Sequence, residues 1–384
     1  MLILEHAFRQ LCKHGEEICG DRVEILQRPG NTIVVMSDGL GSGVKANILS
    51  SLTTKIISTM LREGCTIQDV AETLNKTLPV CKVRQVAYST FTALQIDDAG
   101  QVVAAEYDNP QLMWFSGHKL RTIPRHELCY GDKMTVFESS FQLEENDWLV
   151  SLSDGVTHAG MGGQTWDLGW SWKRVAYFIK KKLPELANTA DLCELLLRFC
   201  NHIYQDKPRD DTTVVAMHYR RPKRLAMIIG PPRNSAMDQV MIEQFLASEG
   251  RKVVCGGTTG KLVASYLGRA IDVRLETMSQ DIPAIGVIDG IDLVTEGVLT
   301  LARVVEWLRS DVSASEIQER NDGVARLVGE LLMADEIRIF LGQAINPAHQ
   351  SPDTPVHLGL KFHFVAELQY LLSQRGKRLT VEKF

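Results

Sequence analysis

Residues 32–43 read TIVVMSDGLGSG. The β-branched run at 32–36 has the composition of a strand. It stops at Ser37-Asp38-Gly39-Leu40-Gly41-Ser42-Gly43, where three glycines in five positions demand a turn. Beyond the turn Ile48, Leu49, Leu52, Ile56, Met60 and Leu61 recur at three- and four-residue steps, and Gly64 follows the last of them as a stop. A helix therefore leaves the turn. A second is expected from about 66 to 78, ending before Pro79.

Working outward, the segments 89–96, 102–107, 112–115 and 148–152 alternate or are mostly apolar, and Asp-Ala-Gly, Asp-Asn-Pro and Ser-Gly-His turns link them as antiparallel strands. From Gly169 a Lys- and Leu-rich helical stretch runs to about Tyr204, interrupted near Pro184 and Asn188, and 213–219 closes the region as a strand. Strand, helical pair, then many strands predicts α+β layers. Composition changes at Arg220-Arg221-Pro222-Lys223-Arg224. Strand, Gly-rich turn, helix and strand then follow from 225 to 254, and a similar order returns from 337 to 381. Two domains are expected, 1–221 and 222–384, the second a Rossmann-like α/β domain.

With 45% hydrophobic and 23% charged residues, the 384-residue chain can build more than one core. A formal net charge of −5 offers no basic surplus for nucleic acid. Residues 1–20 carry His6, Arg9, Lys13, Glu16 and Glu17 where a secretory signal would be apolar, and no window is apolar for the length of a bilayer, so no membrane partner and a cytoplasmic location are expected. The eight cysteines, Cys12, Cys19, Cys65, Cys81, Cys129, Cys193, Cys200 and Cys255, form no C-x-x-C pair and have no His at zinc spacing, and are read as reduced and mostly buried.

Three Asp-containing turns adjoin strands: 37–43, Ser153-Asp154-Gly155-Val156-Thr157 and Asp210-Asp211-Thr212-Thr213-Val214-Val215. Carboxylates at strand ends can converge although distant in sequence, and hard divalent ions such as Mg²⁺ and Mn²⁺ prefer such oxygen-only sites. Two ions about 4 Å apart would orient a phosphate for in-line attack. Gly39 would let its carbonyl approach an ion, while Gly41 and Gly43 let the chain turn into the helix. Each of these turns alone is ordinary; the three together, each beside an apolar strand, point to a site.

SDGLGSG at 37–43, SDG at 153–155 and DDTTVV at 210–215, preceded by Cys19-Gly20-Asp21, resemble the type 2C metal-dependent protein phosphatases, in the bacterial branch named for the sporulation stage II E phosphatase. The resemblance covers about 10–219. It implies an antiparallel β-sandwich flanked by helices, two Mn²⁺ or Mg²⁺ ions, and hydrolysis of phosphoserine or phosphothreonine by a metal-activated water. Carried over by position, Asp38 would bridge both ions, the Gly39 carbonyl would ligate one, and Asp154 and Asp210 would complete the shell, with Asp21 in an outer role. Asp211 is equally explained as a turn residue. The chain departs from the branch at Asp108-Asn109-Pro110, where relatives carry Gly-His-Pro, and at His158, where an acidic residue is frequent. His158 is either a general acid or an ordinary loop residue, and 160–163 (GMGG) either a flap or a turn.

The implied partner is a phosphorylated regulatory protein of the anti-sigma-factor antagonist type. The alternative is a catalytically silent scaffold whose second domain binds the partner. In that domain Gly230-Pro231-Pro232 and 256–261 could place backbone amides for an anion, as in an enzyme for a nucleotide or sugar phosphate, but neither matches a phosphate-loop or dinucleotide pattern. Asp292 or Thr295 is expected to cap a helix at 298–308, Asp289 and Asp292 are alternative ligands without evident partners, and a sensing or docking role is expected for the domain.

Overall fold

The computed structural model describes residues 2–77, 89–130, 134–161, 168–279, 282–310, 317, 320–344 and 357–384. Cys81, Leu78-Pro79 and Gly162-Gly163 lie outside the described residues. The chain divides into two compact units, Met1–Arg221 and Pro222–Phe384.

In the first unit the strands are β1 (Ile3–Leu11), β2 (Asp21–Arg28), β3 (Asn31–Gly39), β4 (Ser89–Asp97), β5 (Gln101–Tyr107), β6 (Met113–Ser116), β7 (Lys119–Arg121), β8 (His126–Tyr130), β9 (Met134–Gln142), β10 (Asp147–Leu152) and β11 (Thr212–Arg220). They form two antiparallel sheets, ordered β1-β11-β10-β6-β7 and β2-β3-β4-β5-β9-β8. The helices are α1 (Gly43–Arg62), α2 (Ile67–Thr77), the single turn α3 (Asp154–Thr157), α4 (Trp172–Lys182) and α5 (Thr189–Ile203).

Strand periodicity explains the layering. On β3, Val34 and Met36 face a core shared with Leu149, Val215 and Met217 of the other sheet, while Ile33 and Val35 face Ile57, Leu61, Val70 and Leu74 of α1 and α2. On β11, Val215 and Met217 join that central core, and Val214 and Ala216 turn outward to Val175, Ile179, Leu192 and Leu196 of α4 and α5. The result is two sheets face to face with a helical layer on each outer side. Each such side chain contributes about 1.5–3 kcal/mol relative to exposure. The helical stretch after Gly169 breaks where expected: Asn188 caps α5, its side chain accepting from the Asp191 N–H at 2.9 Å.

In the second unit β12 (Arg224–Ile229), β13 (Arg251–Cys255), β14 (Asp272–Arg274), β15 (Ile285–Val287), β16 (Leu293–Thr295), β17 (Glu336–Leu341) and β18 (Arg378–Lys383) make one sheet, ordered β14-β15-β16-β13-β12-β17-β18. The five strands from β16 to β18 in that order pair in parallel, whereas β14 and β15 are antiparallel, a departure from a purely parallel array. Its helices are α6 (Asp238–Ala247), α7 (Gly257–Leu267), α8 (Val298–Arg309), α9 (Gly323–Met333) and α10 (His357–Ser373). Leu225, Met227 and Ile229 of β12 pack toward α8, α9 and α10, while Ala226 and Ile228 pack toward α6 and α7, so both sheet faces are covered.

The expected cap of α8 is not formed. Gly297 occupies the cap position without a side-chain bond; Asp292 instead accepts from the Lys252 N–H at 2.6 Å and pairs with Arg251, and Thr295 faces Cys255. Nor are the cysteines mostly buried. Cys193, Cys200 and Cys255 are, whereas Cys19 and Cys65 are half-exposed and Cys12 and Cys129 exposed; all seven are free thiols. No described helix is long and apolar enough to cross a membrane.

Candidate functional site

Antiparallel register brings the acidic turns together. Asp21 at the start of β2 sits opposite Asp38 near the end of β3. In the other sheet Leu152, two residues before Asp154, pairs with Val214, four after Asp210. The end of β10 and the start of β11 therefore share one edge. A bond between the two sheets joins these edges: Thr213 Oγ1 of β11 donates to Asp21 Oδ2 of β2 at 2.6 Å. Ser153 reinforces the corner by accepting from the Thr213 N–H at 2.8 Å.

Asp38, Asp154 and Asp210 line a cleft of about 1340 Å³ together with Lys13, Asp108, Asn109, Arg125, His158, Trp172 and Lys173. Asp21 and Asp211 lie behind this wall, buried at 1% and 3% exposure. Burial first, then the Asp21, Asp154, Asp210 and Asp211 carboxylates, push the Asp38 carboxyl from its ordinary 3.8 up to about 10. Asp21 rises to about 7, chiefly by burial, and Asp210 rises by burial and by the Asp154 charge. Asp154 Oδ1 is out of solvent and has no hydrogen-bond partner among the described residues, while its Oδ2 lies 3.5 Å from His158 Nδ1.

Carboxylate oxygen donors, the raised Asp38 and Asp210 carboxyls and an unpartnered inward oxygen fit hard divalent cations, whose charge would offset burial and repulsion. No soft donor lines this cleft.

The glycines serve packing as well as turning. A Cβ on Gly39 would lie 2.0 Å from the Ala46 carbonyl oxygen of α1, and one on Gly155 would lie 2.1 Å from the Asp211 carbonyl oxygen. Any side chain at either position would push the helix or the 210–211 turn off the sheet edge. Gly41 and Gly43 have φ of 106° and 68°, the left-handed turn expected from their spacing.

Asp211 is fixed on both sides, its Oδ1 accepting from the Lys13 N–H at 3.0 Å and its neighbour Gly20 leaving room for Oδ2. Asp108-Asn109-Pro110 line the cleft, Asn109 Oδ1 accepting from Thr90 at 2.6 Å and its Nδ2 donating to Thr92 at 3.1 Å. Asp108 adopts a positive φ of 52°, and burial and the Asp154 charge raise its carboxyl.

Nothing in the sequence marks Lys13, Arg125, Trp172 or Lys173 for the cleft. Arg125 lies 3.4 Å from the buried Glu106 and stacks on Phe137 at 3.9 Å, an arrangement only the folded sheet creates. Trp172 is held by donating from Nε1 to the Gln111 carbonyl at 2.6 Å.

In comparison with known proteins, residues 28–220, just over half of the chain, match the family described as Stage II sporulation protein E (SpoIIE). The Bacillus subtilis (strain 168) protein of that name is 24% identical over 210 residues, which are 53% of this chain and 24% of that one, so the chain spans about a quarter of its relative's length. A solved phosphatase domain of SpoIIE from Bacillus subtilis aligns with a TM-score of 0.44 at 20% identity, over 57% of this chain and 93% of that chain. A PP2C phosphatase domain with a fragment of the regulatory domain, from the same protein, aligns with a TM-score of 0.48 at 20% identity, over 57% and 62%. The three acidic turns all fall within the matched region, and the chain belongs to the Stage II sporulation protein E family.

Proposed function

We propose that residues 1–221 are a metal-dependent protein serine/threonine phosphatase domain acting on a phosphorylated regulatory protein. The carrying observation is the convergence of Asp38, Asp154 and Asp210 on one cleft, with the Asp38 carboxyl raised by burial and by its neighbours. A scaffold would have no use for uncompensated carboxylates. Asp38, the Gly39 carbonyl, Asp154 and Asp210 would hold two Mn²⁺ or Mg²⁺ ions, with Asp21 supporting Asp38 from behind. Bound ions would supply an activated water and charge for the phosphoryl oxygens.

The chain's own side chains do the rest. Thr213 and Ser153 keep the two sheet edges in register, fixing the spacing between Asp38 and the Asp154–Asp210 pair. Arg125 and Lys13 line the cleft as cations for the incoming phosphate. His158, in contact with Asp154, would hand a proton to the departing serine oxygen. The phosphoserine or phosphothreonine substrate class follows from kinship with regulatory phosphatases, and an anti-sigma-factor antagonist is the substrate we would try first.

Residues 222–384 are read as a Rossmann-like domain with a sensing or docking role. The turn at 230–232 does not favour an independent phosphate-using enzyme: a Cβ on Gly342 would lie 2.2 Å from the Pro231 carbonyl oxygen, and Lys361 Nζ caps the Gly342 carbonyl. The test is Mn²⁺-dependent phosphate release from a phosphoserine peptide by the full chain, by Asp38→Asn and by Asp154→Asn. Turnover is expected from the wild type, with a loss of at least about a hundredfold in both variants. No turnover by folded, metal-supplied wild type on peptide and phosphoprotein substrates would refute the proposal.

A further inference from the structure

A second, chemically different cluster lies on the far side of Asp211. Cys12 follows β1 and Cys19 precedes β2, at the two ends of a loop that passes from one sheet to the other. One ligand atom from each of Cys12, Cys19 and Asp211 falls within 4.8 Å of the others. We propose that Cys12, Cys19 and Asp211 form a binding site for a thiophilic divalent ion of the zinc class, distinct from the oxygen-lined cleft.

The donor types argue for the ion class. Two sulfurs and one carboxylate oxygen are a borderline-soft set, suited to Zn²⁺ or Cd²⁺ and unsuited to Mg²⁺. Zn–S bonds of about 2.3 Å place tetrahedral sulfurs about 3.8 Å apart, so the loop need close by only about 1 Å. Three protein ligands leave a fourth position for water, which the exposed Cys12 side makes accessible.

The surroundings are prepared for this. Asp211 is already oriented by the Lys13 N–H, and Gln10 Nε2 approaches Cys19 Sγ at 3.7 Å. The Cys19 carbonyl accepts from Asn47 Nδ2 of α1 at 2.8 Å, fixing the chain on which the thiol is carried. His14 N–H donates to the Pro208 carbonyl at 2.8 Å, so the 12–20 loop already lies on the 205–211 turn. An ion here would tie Lys13 and Asp210, both on the cleft wall, into one rigid unit.

The test uses the reduced full chain with Mg²⁺ in excess to occupy the oxygen-lined cleft, titrated with Cd²⁺ and followed by the ultraviolet thiolate-to-cadmium charge-transfer band. A band saturating at one ion per chain is expected, lost in Cys12→Ser and Cys19→Ser and retained in Cys65→Ser. Competition against a chromophoric chelator should show Zn²⁺ affinity falling by about tenfold or more in the first two variants. Because Cys12 is exposed, its serine variant should remain folded, and in the wild type Zn²⁺ should also protect Cys12 and Cys19 from alkylation. A band unchanged by both serine variants, or absent from the wild type, would overturn the proposal. So would recovery of Cys12 and Cys19 as a disulfide that re-forms in the presence of Zn²⁺.

Discussion

Replacing Asp38 by Asn should stabilise the metal-free protein while abolishing its activity. The Asp38 carboxyl rises from 3.8 in the unfolded chain to about 10 in the fold, first because it is buried and then because four other carboxylates surround it. Between those values the native state holds a proton that the unfolded state has released. The stability that this carboxyl contributes is therefore fully present below about pH 4 and is lost as pH rises toward 10. At about 1.4 kcal/mol per pH unit, the interval from 3.8 to 7 corresponds to about 4 kcal/mol at neutral pH, reduced toward 1–2 kcal/mol by solvent at the cleft. Asn mimics the protonated carboxyl and removes this slope. In EDTA, urea unfolding should find Asp38→Asn more stable than wild type by about 1–4 kcal/mol at pH 7, a margin that shrinks to about a quarter of that at pH 4.5. Saturating Mn²⁺ should reverse the order, since ligand binding stabilises only the protein that retains the ligand. A variant less stable than wild type in EDTA at pH 7, or a difference independent of pH, would refute the electrostatic account of the cluster.

Two further expectations concern the scaffold. Gly39→Ala and Gly155→Ala should each cost about 1–3 kcal/mol in denaturant unfolding, because the added methyl meets a backbone oxygen that no rotamer change can move; Gly117→Ala, where no atom lies within 4 Å and φ is 57°, should cost only its backbone strain of about 1 kcal/mol. In the second unit Asp322 caps α9 through its Oδ1, accepting from the Val324 and Ala325 N–H groups at 3.0 and 2.9 Å, so Asp322→Ala should lower stability by about 1–2 kcal/mol while Asp322→Asn retains most of it. Equal losses in Ala and Asn would shift the credit from the cap to the Arg320 pair at 3.0 Å.

What could be read in the sequence follows the range of the physics involved. The β3–α1 turn was legible because glycine spacing and 3.6-residue periodicity are local, and Asp38, Asp154 and Asp210 stood out because each adjoins a strand end. Nothing local marks the strands β1 and β2: Arg9, Gln10, Glu24 and Gln27 interrupt their apolar residues, and they become strands by pairing with β11 and β3. The same limit hid Lys13 and Arg125, whose place on the cleft comes from a loop between sheets and from an ion pair to a buried glutamate. Gly39 was legible as a special position for an incomplete reason, since the Ala46 carbonyl in its path excludes a side chain before any ion is considered. Its identity therefore reports the close seating of α1 on β3. That seating is what sets the Asp38 end of the strand at the sheet edge, so one glycine serves the fold and the site through a single contact.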